Sequence, residues 1–476
     1  MNSALLVQRI WSLCDTLRHD GVSYGDYLQQ LTFLLFLKML EEDSQGVSHG
    51  VELPAELSWS SLLELRGEPL RERYELNLKK LGIRSGTLGA IFDRAQNRIE
   101  DPSNLRHLID LIDAERWGNL DADVKGDMYE GLLQRNAEDV KSGAGQYFTP
   151  RPLIQAIVEC VRPLPLRSIA DPAAGTGGFL LGAHRWMLEN YPDMSDRERH
   201  FLKYETFSGN EIVSDTHRLA LMNMLLHGIG DLDSTPHISR SNALLAPRAE
   251  YVDYVFANPP FGRKGPSVAK QKDLRSGSDG DSFLDTGSKQ LDFVQLIVGM
   301  LKPGGEAAVV VPDNVLFERG MAEKVRRALL EKVDLHTLLR LPTGLFYAGG
   351  VQANVLFFKK AATASRESAS RSLWVYDFRS GVRFSRVRSP LERHHLDDFV
   401  QSYLGDADGA RTESGRFRRF SHDDIAARPN ANIDLVWPVD HGSREPNDAE
   451  SLRSDIVAHL RIALEAFESL DLPARF

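Results

Sequence analysis

The sequence predicts an α/β protein in which a helical N-terminal domain precedes a Rossmann-like domain and a helical tail follows it. Two observations carry this prediction. From about residue 146, short apolar segments alternate with helix-like segments, which is typical of βαβ units and a parallel sheet. Within that part, the glycine-rich stretch 171–179 joins an apolar strand to a helix through a sharp turn.

Composition and charge limit the classes of protein that fit. The 476 residues are 42% hydrophobic and 26% charged, an ordinary globular composition that allows two or three domains. The formal net charge of −10 argues against a chain that grips DNA over a broad surface. Two interpretations remain open. Either nucleic acid is not a substrate, or the chain has only local basic charge and a partner supplies the remaining positive charge for binding DNA.

Cysteine content and hydropathy favour a cytoplasmic protein. With Cys14 and Cys160 as its two cysteines, the chain has neither a disulfide framework nor a Cys-rich metal site, which favours a reducing compartment. The N-terminus lacks the pattern of a signal peptide, and the most apolar stretch, 31–40, is too short to span a bilayer. We therefore expect a buried helix at 31–40, no metal ion and no membrane partner.

The first domain, residues 1–140, is predicted to be helical. Apolar residues recur at helical spacing near the N-terminus, the stretch 26–41 is rich in Leu and Phe, and runs of β-branched residues are scarce. A loop is expected at 51–61 and a short helix at 117–139.

The second domain, residues 141–400, is predicted to contain the sheet. Short apolar runs bounded by Gly, Pro and Asn indicate its strands, and longer apolar segments between them indicate its helices. Strands are predicted at 167–171, 207–212, 251–260, 306–312 and 351–360, and helices at 179–190, 216–228 and 290–301. A turn is expected at 302–305 and a polar loop at 361–372.

The third segment, residues 401–476, shows a clear pattern only near its end. The stretch 448–470 is predicted to be an amphipathic helix, because its apolar residues recur on one face. These residues are Leu452, Ile456, Leu460, Leu464 and Phe467. Amphipathic helices usually pack on their own domain, but this one follows an irregular segment, so docking on a partner is the alternative.

The glycine-rich turn and the next strand together predict a cofactor site. Gly175, Gly177 and Gly178 let a ligand lie against bare backbone, although an ordinary loop would look similar. Glu211 ends the second strand, where an acid can accept hydrogen bonds from a ribose. The pair indicates an adenosine-containing cofactor, and the spacing favours S-adenosylmethionine over a dinucleotide. Asp171 either braces the turn or lies near the charged end of the cofactor.

The stretch FANPPFG, 256–262, places Asn258 at the carboxyl end of an apolar strand, where open α/β sheets bind ligands. Pro259 and Pro260 lack N–H groups and fix two φ angles, so the Asn258 amide and the Pro259 carbonyl form two acceptors on a stiff frame. Two acceptors can hold both hydrogens of an aromatic amine and direct its lone pair at an electrophile, while Phe261 stacks on the ring. The corner therefore predicts methyl transfer to an amino nitrogen.

These motifs resemble a known family. DPAAGTGGF with NPPF is the pattern of amino-group DNA methyltransferases that make N6-methyladenine. The stretches 142–154, 220–228, 308–317 and 339–346 are similar to segments of the modification subunits of type I restriction–modification systems. The resemblance, which covers about 120 to 360, implies an S-adenosylmethionine-dependent methyltransferase domain that methylates N6 of an adenine flipped out of double-stranded DNA.

The resemblance also implies roles for individual residues. The S-adenosylmethionine pocket would be lined by Gln146, Tyr147, Phe148, Thr149, Pro150 and Arg151. The glycine turn would hold the cofactor through Thr176, Gly177 and Gly178. Thr149 and Pro150 would lie near the methionine end and Glu211 near the ribose. Many members of the family carry an acid after the third strand, where this chain has Asn242, which could touch the adenine of the cofactor.

Partners are implied as well. The expected partners are double-stranded DNA, a separate specificity subunit that chooses the sequence, a second copy of the modification subunit, and a restriction subunit with ATPase and nuclease activity. The stretch 261–277 is either a solvated loop or a mobile segment that closes on DNA phosphates. Its basic residues are Arg263, Lys264, Lys270, Lys272 and Arg275.

Two other functions fit parts of the pattern. A protein methyltransferase acting on a glutamine amide would use the same corner, but such enzymes usually carry Tyr where this chain has Phe261, and they lack the segment 146–151. A non-catalytic relative would have a broken glycine turn or would have lost Asn258, and both are intact here. The DNA methyltransferase is the favoured interpretation.

Overall fold

A mixed β-sheet runs through the centre of the protein. The computed structural model describes residues 24–44, 53–115, 149–245, 251–261, 284, 286–346, 352–361, 372–379, 384, 389–406 and 408–437. Within these ranges the strands are β1 (Ile169–Asp171), β2 (Phe207–Glu211), β3 (Ile238–Arg240), β4 (Val252–Ala257), β5 (Leu301–Pro312), β6 (Val333–Arg340), β7 (Ala353–Lys360), β8 (Ser372–Asp377) and β9 (Phe417–Ser421). Their order across the sheet is β3-β2-β1-β4-β5-β7-β6-β8-β9.

Helices precede the sheet in the chain and connect its strands. They are α1 (Tyr24–Ser44), α2 (Ser60–Leu63), α3 (Glu68–Gly82), α4 (Gly86–Phe92), α5 (Pro102–Asp113), α6 (Arg151–Val161), α7 (Gly178–Asn190), α8 (Asp196–Tyr204), α9 (Ser214–Leu226), α10 (Lys289–Met300), α11 (Asn314–Phe317), α12 (Met321–Lys332), α13 (Asp397–Leu404) and α14 (His422–Ala426). Short 3-10 turns lie at Ala55–Leu57, Arg393–Leu396 and Pro429–Ala431.

The described part of the N-terminal region is helical, as predicted. The stretch 31–40 lies inside α1, and its apolar side chains are almost all buried. Local signals set the ends of the other helices: at α5, the Asp101 side chain accepts a hydrogen bond from the Ser103 N–H, and Pro102 occupies the first turn. None of the described helices is long and apolar enough to cross a membrane.

The strands from β1 to β5 that surround the predicted site are parallel. β1 pairs with β2 and β4, β2 pairs with β3, and β4 pairs with β5, each in parallel. The predicted strands at 167–171, 207–212, 251–260, 306–312 and 351–360 are confirmed as β1, β2, β4, β5 and β7. The helices predicted between them are confirmed as α7, α9 and α10.

The rest of the sheet differs from a purely parallel one. β7 is antiparallel to both β5 and β6, and β9 is antiparallel to β8. The turn predicted at 302–305 is an irregularity within β5: Leu301 pairs with Val252, but the next pair is Glu306 with Tyr254. Gly304 accommodates this irregularity with a φ of +78°.

Helices cover both faces of the sheet. Because strand side chains alternate between faces, Ala308 and Val310 of β5 point to the side of the main core, which includes residues of α6, α7 and α13. The intervening residue Val309 is also buried, but on the opposite side of β5. The helices α10 and α12 contact each other, and they pack on β5 and β6 respectively.

The described residues as far as Leu435 form one compact unit. In it, α4 contacts α9, which packs on β2 and β3, so the helical region lies beside that edge of the sheet. The predicted amphipathic helix at 448–470 and the predicted helix at 117–139 lie outside the described residues. The domain boundaries at 140 and 400 stay predictions, and the sheet continues past residue 400 through β9.

Arg326 of α12 is expected to make a large contribution to stability. It is 1% exposed, and its guanidinium donates hydrogen bonds to the carbonyl oxygens of Val315, Glu318, Asn430 and Ala431 at 2.7–3.0 Å. Arg326→Leu would leave these buried acceptors without their donor, so we expect the free energy of unfolding to fall by roughly 3 kcal/mol, measured by urea denaturation.

The neighbouring Arg327 provides the control for this prediction. It pairs with Glu323 on the surface of α12 at 2.8 Å, and such pairs contribute little. Arg327→Leu should therefore change the free energy of unfolding by less than about 1 kcal/mol. Equal losses for the two variants would contradict the role given to Arg326.

Candidate active site

The two sequence motifs meet at the carboxyl ends of adjacent strands. Ala170 of β1 pairs with Val255 of β4 in parallel, so Asp171 and Asn258, which follow them, lie at the same edge of the sheet. From β1 the chain continues to β2 and β3 on one side, whereas β4 leads to β5 on the other. A reversal of strand order of this kind opens a crevice at the carboxyl edge, where open α/β sheets bind ligands.

The turn after β1 depends on its glycines. Gly175 and Gly177 have φ angles of +55° and +85°, a region that strains other residues. A Cβ atom added to Gly175 would meet no atom within 4 Å, so the turn borders open space at this point. Gly178 begins α7, and a Cβ atom there would lie 3.0 Å from the Ile154 side chain of α6. The turn is therefore held closely against α6.

Glu211 lies against this turn. One oxygen of its carboxylate accepts a hydrogen bond from the Gly175 N–H at 3.0 Å, and the other accepts one from the Val213 N–H at 2.7 Å. Burial raises the pKa of the Glu211 carboxyl above its usual value. The structure thus brings together the glycine turn and the strand-end acid that the sequence pairs as a cofactor site.

Asp171 is the most deeply buried acid of the site. Its side chain is 2% exposed, and its carboxylate accepts a hydrogen bond from the Ala173 N–H at 2.9 Å. Burial raises the pKa of Asp171 to about 8, and the nearby charge of Glu211 acts in the same direction. The bond to Ala173 braces the turn. The raised pKa means that the buried carboxyl favours its neutral form, and a cation beside it would favour the ionised form.

Asn223 is a supporting residue that the sequence analysis missed. It lies in α9, is 0% exposed, and donates a hydrogen bond from its amide nitrogen to the Thr176 carbonyl at 3.1 Å. The bond ties the glycine turn to a helix that packs on β2 and β3. A single amide inside the apolar stretch 220–228 was the available signal, since a buried polar side chain needs a partner.

The corner after β4 is largely enclosed. Asn258 is 5% exposed, Pro259 is buried, and Pro260 and Phe261 are half-buried. The Asn258 amide nitrogen donates a hydrogen bond to the Thr149 hydroxyl at 2.9 Å. Phe261 packs against the main core cluster. The catalytic amide of the prediction is therefore held on a stiff backbone and by a contact from a distant part of the chain.

The described residues of the predicted segment 146–151 lie next to that corner. Thr149 is buried, and Pro150 precedes α6, where its carbonyl accepts hydrogen bonds from Leu153 and Ile154 at 3.0 and 3.1 Å. Arg151 begins α6 and borders a groove of about 270 Å³ between α6 and α7. Gly178 of the glycine turn lines the same groove.

Asn242 follows β3 at the same edge. Its side-chain oxygen accepts a hydrogen bond from the Leu244 N–H at 3.1 Å, so it braces its own loop. Its contact with the adenine of the cofactor stays a prediction. Several other predicted site residues lie outside the described part of the chain, namely Gln146, Tyr147, Phe148, Arg263, Lys264, Lys270, Lys272 and Arg275.

Family models and known sequences are similar to nearly the whole chain. The model of the N-6 DNA methylase family matches residues 120–435, and that of the HsdM N-terminal domain matches residues 6–112. The methylase subunit of the type I restriction enzyme EcoKI from Escherichia coli K12 is 39% identical over 96% of this chain and 92% of its own length. The methylase subunit of StySPI from Salmonella potsdam has the same identity and the same coverage.

Solved structures show the same relationship. The crystal structure of the EcoKI M protein (EC 2.1.1.72) is 33% identical, with a TM-score of 0.53 over 99% of this chain and 96% of that one. A structure of a type I restriction–modification system is 25% identical, with a TM-score of 0.73 over 99% and 98% of the two chains. A modification subunit from Vibrio vulnificus YJ016, at 24% identity and a TM-score of 0.72 over 94% and 98%, shares the fold.

Proposed function

The chain belongs to the N-6 DNA methylase family, and from that membership we propose how its own residues transfer a methyl group to N6 of adenine. It is an adenine-N6-specific DNA methyltransferase of the type I modification-subunit class, and S-adenosylmethionine is its methyl donor. One observation carries the assignment of residues: the glycine turn with Glu211 and the Asn258 corner lie at one edge of the sheet, where the strand order reverses.

The residues at the turn fit the methyl donor. Gly175 borders open space, so a ligand can lie against the backbone. The buried Asp171 carboxyl suits the ammonium group of the methionine end, because a cation beside it favours its ionised form. Glu211 suits the ribose hydroxyls, because the Gly175 and Val213 N–H groups hold its carboxylate against the turn.

The corner after β4 holds the target amine. When bound, S-adenosylmethionine supplies a methyl group on a positively charged sulfur. The Asn258 amide oxygen and the Pro259 carbonyl accept the two N6 hydrogens, and Phe261 stacks on the adenine ring. N6 bonds to the methyl carbon as the sulfur–carbon bond breaks, and it then loses one proton to solvent. Positioning and electrostatics carry this reaction without a strong base.

The proposed partners follow from the type I class. N6 is unreachable inside a stacked duplex, so the target adenine must be flipped into the site. A separate specificity subunit chooses the DNA sequence, and the full assembly adds a second modification subunit and a restriction subunit. The basic residues of 261–277 contact DNA phosphates, and the predicted helix at 448–470 docks on a partner subunit. The protein works in the cytoplasm, where its DNA substrate is.

The destination of the methyl group tests this proposal. The full-length protein is co-expressed with its specificity subunit and incubated with unmethylated genomic DNA and S-adenosylmethionine labelled in the methyl group. We expect the label in the DNA fraction. Label in a protein fraction, which a glutamine methyltransferase would produce, would contradict the proposal.

The raised pKa of Asp171 predicts that binding of S-adenosylmethionine is coupled to release of a proton. At pH 6.5 a carboxyl with a pKa of about 8 is protonated, and an ammonium group beside it favours the charged form, so the pKa falls on binding. We therefore expect release of up to about one proton per S-adenosylmethionine bound at pH 6.5, and an affinity that rises toward pH 8. Calorimetry in buffers of different ionisation enthalpy measures the protons released.

Asp171→Asn is the matched control for this linkage. The amide keeps the shape of the side chain but cannot titrate, so the variant should bind more weakly and without release of a proton. Equal proton release by the wild type and by Asp171→Asn would contradict the role given to Asp171.

A further inference from the structure

We propose that Thr149 is a positioning residue that orients the amide of Asn258 toward the target amine. The Asn258 amide nitrogen donates a hydrogen bond to the Thr149 hydroxyl at 2.9 Å, across 109 residues of sequence. Both side chains are buried, with Thr149 7% and Asn258 5% exposed, so water competes little for this bond. The inference rests on the proposed function, because it gives the Asn258 oxygen its orientation toward N6.

The orientation matters because the two ends of an amide have the same shape and opposite chemistry. Only the oxygen can accept a hydrogen from N6; the amide nitrogen would present its own hydrogens to those of the amine. With the nitrogen bonded to Thr149, the oxygen of Asn258 lies at the other end of the amide plane. The Thr149 hydroxyl acts here as the acceptor of this hydrogen bond.

Both partners stand on stiff backbone, which makes the contact suitable for positioning. Thr149 is followed by Pro150, whose carbonyl accepts the first hydrogen bonds of α6 from Leu153 and Ile154. Asn258 ends β4 and is followed by two prolines. A side chain held between two rigid elements keeps its geometry without a cost at the moment of reaction.

Two substitutions separate the hydroxyl of Thr149 from its shape. The full-length protein, in complex with its specificity subunit, is assayed on unmethylated genomic DNA. Thr149→Val keeps the shape and removes the hydroxyl, so we expect kcat to fall about 100-fold, as for a small misplacement of a reacting group. Thr149→Ser keeps the hydroxyl and should stay within about threefold of wild type. The KM for DNA should change less than about threefold, and the calorimetric Kd for S-adenosylmethionine should change far less than kcat.

A double-mutant cycle with Asn258→Asp identifies the mechanism. Both ends of a carboxylate are oxygens, so the substituted side chain could accept a hydrogen from N6 in either orientation. The Thr149 hydroxyl would then no longer be needed to orient it. We expect Thr149→Val to cost less than about threefold in the Asn258→Asp background, compared with about 100-fold in the wild type. Equal costs in the two backgrounds would overturn the proposal.

Other outcomes also decide the matter. A Thr149→Val complex that is as active as the wild type would overturn the inference, and so would a loss of cofactor affinity that accounts for the whole effect. If Thr149→Val lowers the melting temperature, Thr149→Ala, which buries no extra methyl group, takes its place in both comparisons. A wild-type complex that leaves DNA unmethylated contradicts the proposed function itself, so the two failures are distinguishable.

Discussion

Asn258→Ala is expected to lower kcat for methyl transfer to DNA about 1,000-fold, the largest effect predicted for any single side chain of this protein. The substitution removes one of the two acceptors proposed for the N6 hydrogens and leaves the Pro259 carbonyl alone. Asn258 lies after β4, whereas Glu211 ends β2 and the glycine turn follows β1, so these proposed cofactor residues stay in place. The calorimetric Kd for S-adenosylmethionine should therefore change less than about threefold.

The matched control for this substitution is Asn314→Ala. Asn314 follows β5, the neighbour of β4, and pairs with the Glu318 side chain at 3.1 Å. Because it takes no part in the proposed site, its removal should leave kcat within about threefold of wild type. If Asn258→Ala loses cofactor affinity and melting temperature together with kcat, the residue is structural and the catalytic role is contradicted.

Gly177→Asp is expected to weaken binding of S-adenosylmethionine at least about 100-fold, or about 2.7 kcal/mol. Gly177 has a φ of +85°, which other residues adopt at a cost, and a Cβ atom there would point at the apolar side chains of Met224 and Ile238. A carboxylate next to these two side chains would be buried without a partner, so the turn must rearrange. Calorimetry on the full-length protein measures the affinity.

Gly228→Asp is a control that separates the effect of backbone strain from the effect of a carboxylate in the glycine turn. Gly228 has a φ of +77°, close to that of Gly177, but a Cβ atom there would meet no atom within 4 Å. The variant carries a similar backbone cost without burying a charge, so the affinity for S-adenosylmethionine should stay within about threefold of wild type. Unchanged affinity in Gly177→Asp would contradict the assignment of the turn to the cofactor.

The parts of this protein that sequence reasoning could predict are those encoded by local signals. The strand before Asp171 is an apolar run that ends at a glycine-rich turn, and the strand before Asn258 ends at two prolines. These strand ends depend on the conformational freedom of Gly and the restricted φ of Pro, which act within a few residues. The core of the proposed site, with its turn, its strand-end acid and the corner after β4, was therefore predictable as a set of elements.

Contacts between distant residues carry no comparable signal. The bond between Thr149 and Asn258 joins residues 109 apart, and that between Asn223 and Thr176 joins residues 47 apart. Arg326 is another example, because arginine is usually exposed and its four carbonyl partners come from two other segments. The antiparallel β9 was also missed, since its sequence FRRFS has neither an apolar run nor a strict alternation of apolar and polar residues.

The identity of the methylated atom tests the central claim most directly. DNA methylated by the wild-type complex with its specificity subunit is digested to nucleosides, and the modified nucleoside is identified by mass spectrometry against standards. The account predicts N6-methyladenine from the wild type, and from Asn258→Ala about 1,000-fold less in initial-rate samples. A methylated cytosine, or undiminished N6-methyladenine from Asn258→Ala, would contradict the proposal that the corner after β4 holds the adenine amine.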